Sequence, residues 1–197
     1  MEFLQITPLI TTFGLIGIFT IVFAESGLFF GFLLPGDSLL VTAGIFASAG
    51  HFNIVVLLLG TFIFAVLGDS VGYWTGKKFG QKIFSRPNSF FFNKKNLDKT
   101  KEFYEKYGKK TVTLARFVPM IRTFAPIMAG TANMPYKDFL FYNILGGFLW
   151  TGSMIMIGYF LGNSIENIDG YIFPITIFII GLSVVPVVIG LIRKKKQ

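Results

Sequence analysis

The chain has no cysteine, which removes disulfide frameworks, CxxC zinc sites and cysteine nucleophiles together. Its single histidine, His51, is too little for a His-rich metal site or a histidine-based hydrolase. No phosphate-cradling P-loop occurs, because Gly76-Lys77 is followed by Lys78 and preceded by the wrong spacing. Serine-nucleophile elbows and HExxH zinc helices are missing as well, so neither an enzyme nor a cofactor or metal site is expected. Charge is scarce too, at 14% of residues, little over half the usual quarter of a soluble domain. In its place stand 53% hydrophobic residues and 25 phenylalanines, more than one small water-surrounded core could bury. That balance predicts an all-α polytopic membrane protein, organised as a single domain over residues 1–197.

No lysine or arginine precedes Lys77, so the basic start of a signal or transit peptide is not expected. Residues 76–110 then carry eleven of the 18 basic residues, and Arg193 to Lys196 carry four more. Both runs flank long apolar segments and lack any base-stacking module. They therefore read as positive-inside signals attracted to anionic headgroups, with no nucleic-acid partner. Within the basic stretch, Asn93 to Tyr107 reads as a surface helix stopped by Gly108. Residues 54–73, 139–161 and 171–192 are long and apolar enough to cross. Ser38–Ala49 is too short, and Thr111–Met134 carries two arginines and two prolines. Residues 1–24 fit either a crossing or one limb of a hairpin.

If residues 76–110 and the C-terminus both face the cytoplasm, the segments between them must cross an even number of times. Residues 139–161 and 171–192 already supply two crossings. Thr111–Met134 is therefore expected to enter and leave on one side as a re-entrant hairpin. A shift of 86 residues supports a matching hairpin in the first half, because it aligns Ala43-Gly44 with Ala129-Gly130, Gly60 with Gly146 and Phe62 with Phe148. It also aligns Gly72-Tyr73-x-x-Gly76 with Gly158-Tyr159-x-x-Gly162. The expected architecture is an inverted-topology repeat, residues 10–76 and 111–162, with two opposed re-entrant helical hairpins. A basic loop over 77–110 joins the repeats, and a transmembrane helix over 171–192 follows them. Pro35, Gly36, Pro119 and Pro126 are the expected hairpin breaks. Such broken helices meeting near the midplane are a transporter plan.

Ionisable groups at membrane depth cost roughly 2.5–3.5 kcal/mol each on insertion scales, so each needs a reason. Here they are Glu25, Asp37, Asp69, Arg116 and Arg122. The acids and bases could simply pair, Glu25 or Asp37 with an arginine, and lock the hairpins. Alternatively, Arg116 and Arg122 on a broken helix could clamp a phosphate, which lysine would not reproduce. Glu25 and Asp37 could then take up protons or gate the site. Asp69, one step off the glycine row Gly68, Gly72, Gly76 and Gly80, is expected to cap or pair locally and is a secondary candidate. The row itself predicts a close helix-packing face.

Three ordered stretches carry a family resemblance. They are Glu25-Ser26 through Leu34-Pro35-Gly36-Asp37, then Gly68-Asp69-x-x-Gly72-Tyr73-x-x-Gly76, then Arg116-Phe117-Val118-Pro119-x-x-Arg122-x-x-Ala125-Pro126-x-x-Ala129-Gly130. With these the chain resembles the DedA family of bacterial inner-membrane proteins, also described by its VTT or SNARE-associated domain. The resemblance implies functional roles for Glu25, Asp37, Arg116 and Arg122, and movement of lipids between leaflets. Undecaprenyl phosphate is the leading implied substrate, with proton coupling. A phosphatidylethanolamine flippase or passive scramblase, and a non-transporting scaffold, are the alternatives. Homo-oligomerisation stays open.

Overall fold

Helix starts and stops follow from a few residues. The computed structural model describes residues 3–28, 31, 34–84 and 104–165. Among these, α1 spans Phe3–Gly27, α2 Gly36–Ser48 and α3 Ile54–Phe84. Helix α4 is described over 104–107, and a 3₁₀ turn at Gly108–Lys110 leads into α5, Thr111–Ala115. Helices α6, Pro119–Thr131, and α7, Tyr136–Asn163, complete the order. Asn53 caps α3: its Oδ1 accepts from the backbone N–H of Val55 at 2.9 Å and of Val56 at 3.2 Å. Gly108 stops α4 in the left-handed region, at φ 56°, as its place in the sequence predicts.

The break between α5 and α6 belongs to Pro119. Proline disfavours helical backbone at the residue before it, and Val118 is extended, at φ −118° and ψ 105°. Proline also has no N–H to bond the Ala115 carbonyl, which accepts from Val118 N–H at 2.9 Å instead. Pro119 then occupies the start of α6, where a missing donor costs nothing. Pro126, expected as a further break, lies inside α6, which continues to Thr131. An unbroken helix is tolerated in a membrane when neighbours absorb the disturbed turn, and Gly72 leaves room for the Pro126 ring.

Among the described residues, two helices are long and apolar enough to cross a membrane: Ile54–Phe79, with mean hydropathy 2.4, and Tyr136–Asn163, with 1.6. Both turn large apolar side chains outward, among them Leu59, Ile63, Phe141, Phe148 and Phe160. Buried hydroxyls on α3 are satisfied within the helix: Thr61 donates to the Leu57 carbonyl at 2.7 Å and Ser70 to that of Val66 at 2.8 Å. The crossing expected over 171–192 lies outside the described residues, as does most of the 93–107 surface helix.

The chain sorts into two compact units. One takes the described residues of Met1–Ile21, Leu33–Thr61 and Thr151–Gln197. In it α2 meets the end of α7 without side chains between them: a Cβ at Gly44 would strike the Ile155 carbonyl, and one at Gly158 the Val41 carbonyl. The other takes the described residues of Val22–Phe32 and Phe62–Trp150. There α6 lies equally close to α3, with Gly130 against the Tyr73 carbonyl and Gly76 against that of Ile127. Gly68 lies against α1, 2.7 Å from the Phe23 carbonyl by the same measure. The four-residue glycine spacing thus does mark a helix-packing face. Tyr73, Val112, Ala129 and Phe139 form a buried cluster in this unit, with the Tyr73 hydroxyl donating to the Met134 carbonyl.

Candidate functional site

Four of the five membrane-depth charges converge in the second unit. Glu25 sits on the last turns of α1, Asp69 on α3, Arg116 at the α5 end of the break and Arg122 on the first turn of α6. The guanidinium of Arg116 donates from Nη2 to Asp69 Oδ2 at 2.6 Å and to Asn143 Oδ1 at 2.6 Å. Arg122 Nη2 is ion-paired to Glu25 Oε1. Glu25, Arg116 and Asp69 are buried, with Glu25 only 1% and Arg116 and Asp69 each 4% exposed, and Arg122 is nearly so, its side chain 10% exposed. Two acids cancel two bases, which is what allows charge to sit where little solvent reaches it.

Pro119 therefore does more than interrupt a helix, because the break it enforces places one arginine on each side. Gly146 makes room for the first of them: a Cβ there would lie 3.0 Å from Arg116 Cδ. Asn143 fixes its end by donating from Nδ2 to the Val66 carbonyl at 3.0 Å while accepting from Arg116. Trp150 lies beside both guanidiniums, 5.8 Å from that of Arg116 and 5.4 Å from that of Arg122, ring centroid to Cζ. Glu25, Ser26, Asp69, Arg116, Arg122 and Trp150 line a void of ≈ 10 Å³, room for about one water.

At the edge of this unit the Tyr104 hydroxyl donates to the Ala125 carbonyl at 2.8 Å. Burial, and then the charge of Asp69, push its pKa up, so it remains a donor throughout the working pH range. Lys109 is held charged by its hydrogen bond to Asp138 at 2.6 Å. Both partners of that pair are substantially exposed, so it adds little stability.

The expectations for Glu25 and Asp69 meet different outcomes. Glu25 does pair with an arginine. Asp69 is not a local cap: its partner, Arg116, is 47 residues away in sequence. Asp37 occupies the first turn of α2, among residues of the other unit. Asn143 and Trp150 were not singled out by the sequence reading. Asn143 could have been, as a lone amide in the apolar run 139–161. His51 lies exposed in the turn after α2, its N–H bonded to the Phe46 carbonyl at 3.0 Å. Among the described residues, no group of acidic and histidine side chains could hold a metal ion.

Residues 34–160 match the VTT domain, which covers the break, the whole of one candidate span and most of the other, and three of the four clustered charges. Protein DedA of Escherichia coli K12 is 44% identical over 181 residues, covering 91% of this chain and 82% of that protein. An uncharacterised membrane protein of Mycobacterium leprae is 46% identical over 143 residues, covering 73% of this chain and 64% of its own length. Another, from Synechocystis, is 36% identical over 141 residues, with 70% and 65% covered. No solved structure matches the chain. A VTT domain spanning most of the chain, together with close identity to DedA along nearly all of it, makes this a membrane protein of the DedA family.

Proposed function

We propose that this protein moves a phosphate-bearing lipid between the leaflets of a bacterial inner membrane, with undecaprenyl phosphate as the substrate. The observation that carries this reading is the pair of arginines flanking a helix break, Arg116 buried and Arg122 nearly so, each held by a carboxylate beside a nearly closed void. A phosphate oxygen and a carboxylate oxygen compete for the same guanidinium N–H groups. Protonation of Glu25 and Asp69 would release Arg122 and Arg116 to an entering phosphate, and loss of the phosphate would restore the pairs. This exchange couples lipid movement to proton uptake without any further machinery. Proton coupling, assigned from sequence to Glu25 and Asp37, passes here to Glu25 and Asp69, which sit on the arginines. Asp37 is assigned to gating of the first hairpin.

Two re-entrant hairpins in an inverted repeat suit this work. Helices α2 and α6 have 13 residues each. At 1.5 Å per residue each reaches roughly 20 Å, short of a hydrocarbon core of about 30 Å. Their packing supports the repeat. Gly44 abuts Tyr159 as Gly130 abuts Tyr73, and both pairs are related by the 86-residue shift. The start of α6 also brings the positive end of a helix dipole near Arg122, which favours an anion. The basic stretch 76–110 and the C-terminus are assigned to the cytoplasm.

A second reading has an observation of its own. The carboxylates are in place and the void admits only a water, as a non-transporting scaffold locked by its ion pairs would require. Proteoliposomes containing the full chain and labelled undecaprenyl phosphate separate the two. Arg116→Lys and Arg122→Lys should each slow translocation at least about tenfold, because a point charge replaces a bidentate fork. Their elution profiles in detergent should match the parent. Parental rates in both variants would remove the clamp. Movement of phosphatidylethanolamine alone, indifferent to a pH gradient, would change the substrate and make the protein a passive scramblase.

A further inference from the structure

We infer that Trp150 is a positioning residue for the two arginines, holding both guanidiniums at the void while their carboxylate partners are exchanged for a phosphate. The inference rests on the phosphate reading given above. Trp150 is 2% exposed and projects from α7 onto the same void as the ion pairs. Both guanidinium carbons lie within about 6 Å of its ring centroid, the range in which a cation is drawn to an aromatic face. The other tryptophan, Trp74, is 50% exposed beside Lys77, as an interfacial belt residue would be.

The chemistry of the exchange requires such a group. When the carboxylates let go, two like charges are left in a site of low dielectric, where they repel strongly. Arginine has a long flexible stem and would otherwise swing toward water or headgroups. A further carboxylate could hold it, but would compete with the incoming phosphate. An indole does not compete: it takes the guanidinium through its π system, whereas carboxylate and phosphate take the N–H edge. One ring serving two arginines also fixes their spacing, which a bidentate or bridging phosphate contact needs. The repeat is consistent with this. The residue 86 positions before Trp150 is Phe64, and the positions matching Arg116 and Arg122 are Phe30 and Gly36. The half without the arginines has an aromatic there but no tryptophan. Phe64 packs edge-on against Phe23, with centroids 6.5 Å apart.

The test uses the full-length protein in detergent with farnesyl phosphate, a short polyprenyl phosphate, as the probe. Trp150→Phe retains an aromatic face and should bind within about threefold of the parent. Trp150→Leu should lose about thirtyfold in affinity, the scale of one fully desolvated cation–π contact. A Trp74→Phe background leaves Trp150 as the sole tryptophan. Its emission should shift when farnesyl phosphate is added, which reports that the probe reaches the void that Trp150 lines, while the difference between the Phe and Leu variants reports the aromatic face. Equal affinities for the parent, Phe and Leu proteins would overturn the inference while leaving the phosphate site standing. If Trp150→Leu does not fold, the emission decides: no shift at saturating probe overturns the inference. Failure of the parent protein to bind farnesyl phosphate would instead bring down the phosphate reading, and this inference with it.

Discussion

Arg116→Leu is expected to lower stability by about 3–5 kcal/mol, because it strips Asp69 of its hydrogen-bonded cation at a buried site. Adding Asp69→Leu to the same chain should recover most of that loss. What remains is the cost of Asn143 Oδ1 without its donor, about 1–3 kcal/mol. Thermal unfolding of the purified single and double variants in one detergent measures the coupling, and proteoliposome translocation is read on the same preparations. A double variant that is stable but inactive would separate the two roles of the pair: the charges are dispensable for folding and needed for lipid movement. A stable double variant that still translocates at the parental rate would exclude Arg116 from the substrate path. If the double variant were as unstable as the single, Arg116 would act through its other contacts, including that to the Ala65 carbonyl at 3.4 Å.

The cluster also bears on stoichiometry. Under the 86-residue shift Gly44, Gly60, Gly72 and Gly76 meet glycines, whereas Asp69 meets Ile155 and Asn143 meets Leu57. On the proposed reading, one charged site in a repeated scaffold suits a carrier that handles one headgroup at a time. Two apolar half-sites would not suffice, because a phosphate cannot be desolvated without cations around it.

Much of this was legible because a membrane makes the informative residues rare. Glu25, Asp69, Arg116 and Arg122 stood out in apolar runs, and the glycine spacing announced close helix contacts. Pro119 marked a break that follows from local backbone chemistry alone. The partners were not legible. Glu25 and Arg122 are 97 residues apart in sequence, and only the packing of α1 against its neighbours decides that Glu25 reaches an arginine. Asp69 was misjudged because local capping is the commoner use of an aspartate beside glycines. Pro126 was misjudged because proline inside an apolar helix has two outcomes, a break or an absorbed kink, and the neighbour that accommodates it is remote in sequence. Trp150 was hidden by abundance: in a chain that is 17% aromatic, one more ring reads as lipid contact.

Gly130→Ala and Gly44→Ala should be among the most damaging single-methyl changes in the protein. At Gly130 the added Cβ would strike the Tyr73 carbonyl and come within 2.8 Å of Lys77 N. At Gly44 it would strike the Ile155 carbonyl and come within 2.9 Å of Tyr159 N. In both cases the obstacle is backbone of a long helix, which no rotamer change can move, so the helices must separate and forfeit their contacts. We expect a loss of about 3 kcal/mol or more at each position, or failure to accumulate in the membrane. Gly17→Ala and Gly152→Ala are the controls, since a Cβ at either meets nothing within 4 Å. There alanine should be neutral or stabilising by up to about 1 kcal/mol through helix propensity. The comparison also tests the repeat. If helix packing is shared between the halves, the two damaging variants should lose similar stability when unfolded in the same detergent. Gly158→Ala and Gly72→Ala should diverge: the first meets the Val41 carbonyl, the second only the Pro126 ring at 3.3 Å. A tolerant Gly44 beside an intolerant Gly130 would confine the duplication to sequence and leave α2 free to shift against α7, the movement that opening of the first hairpin would require.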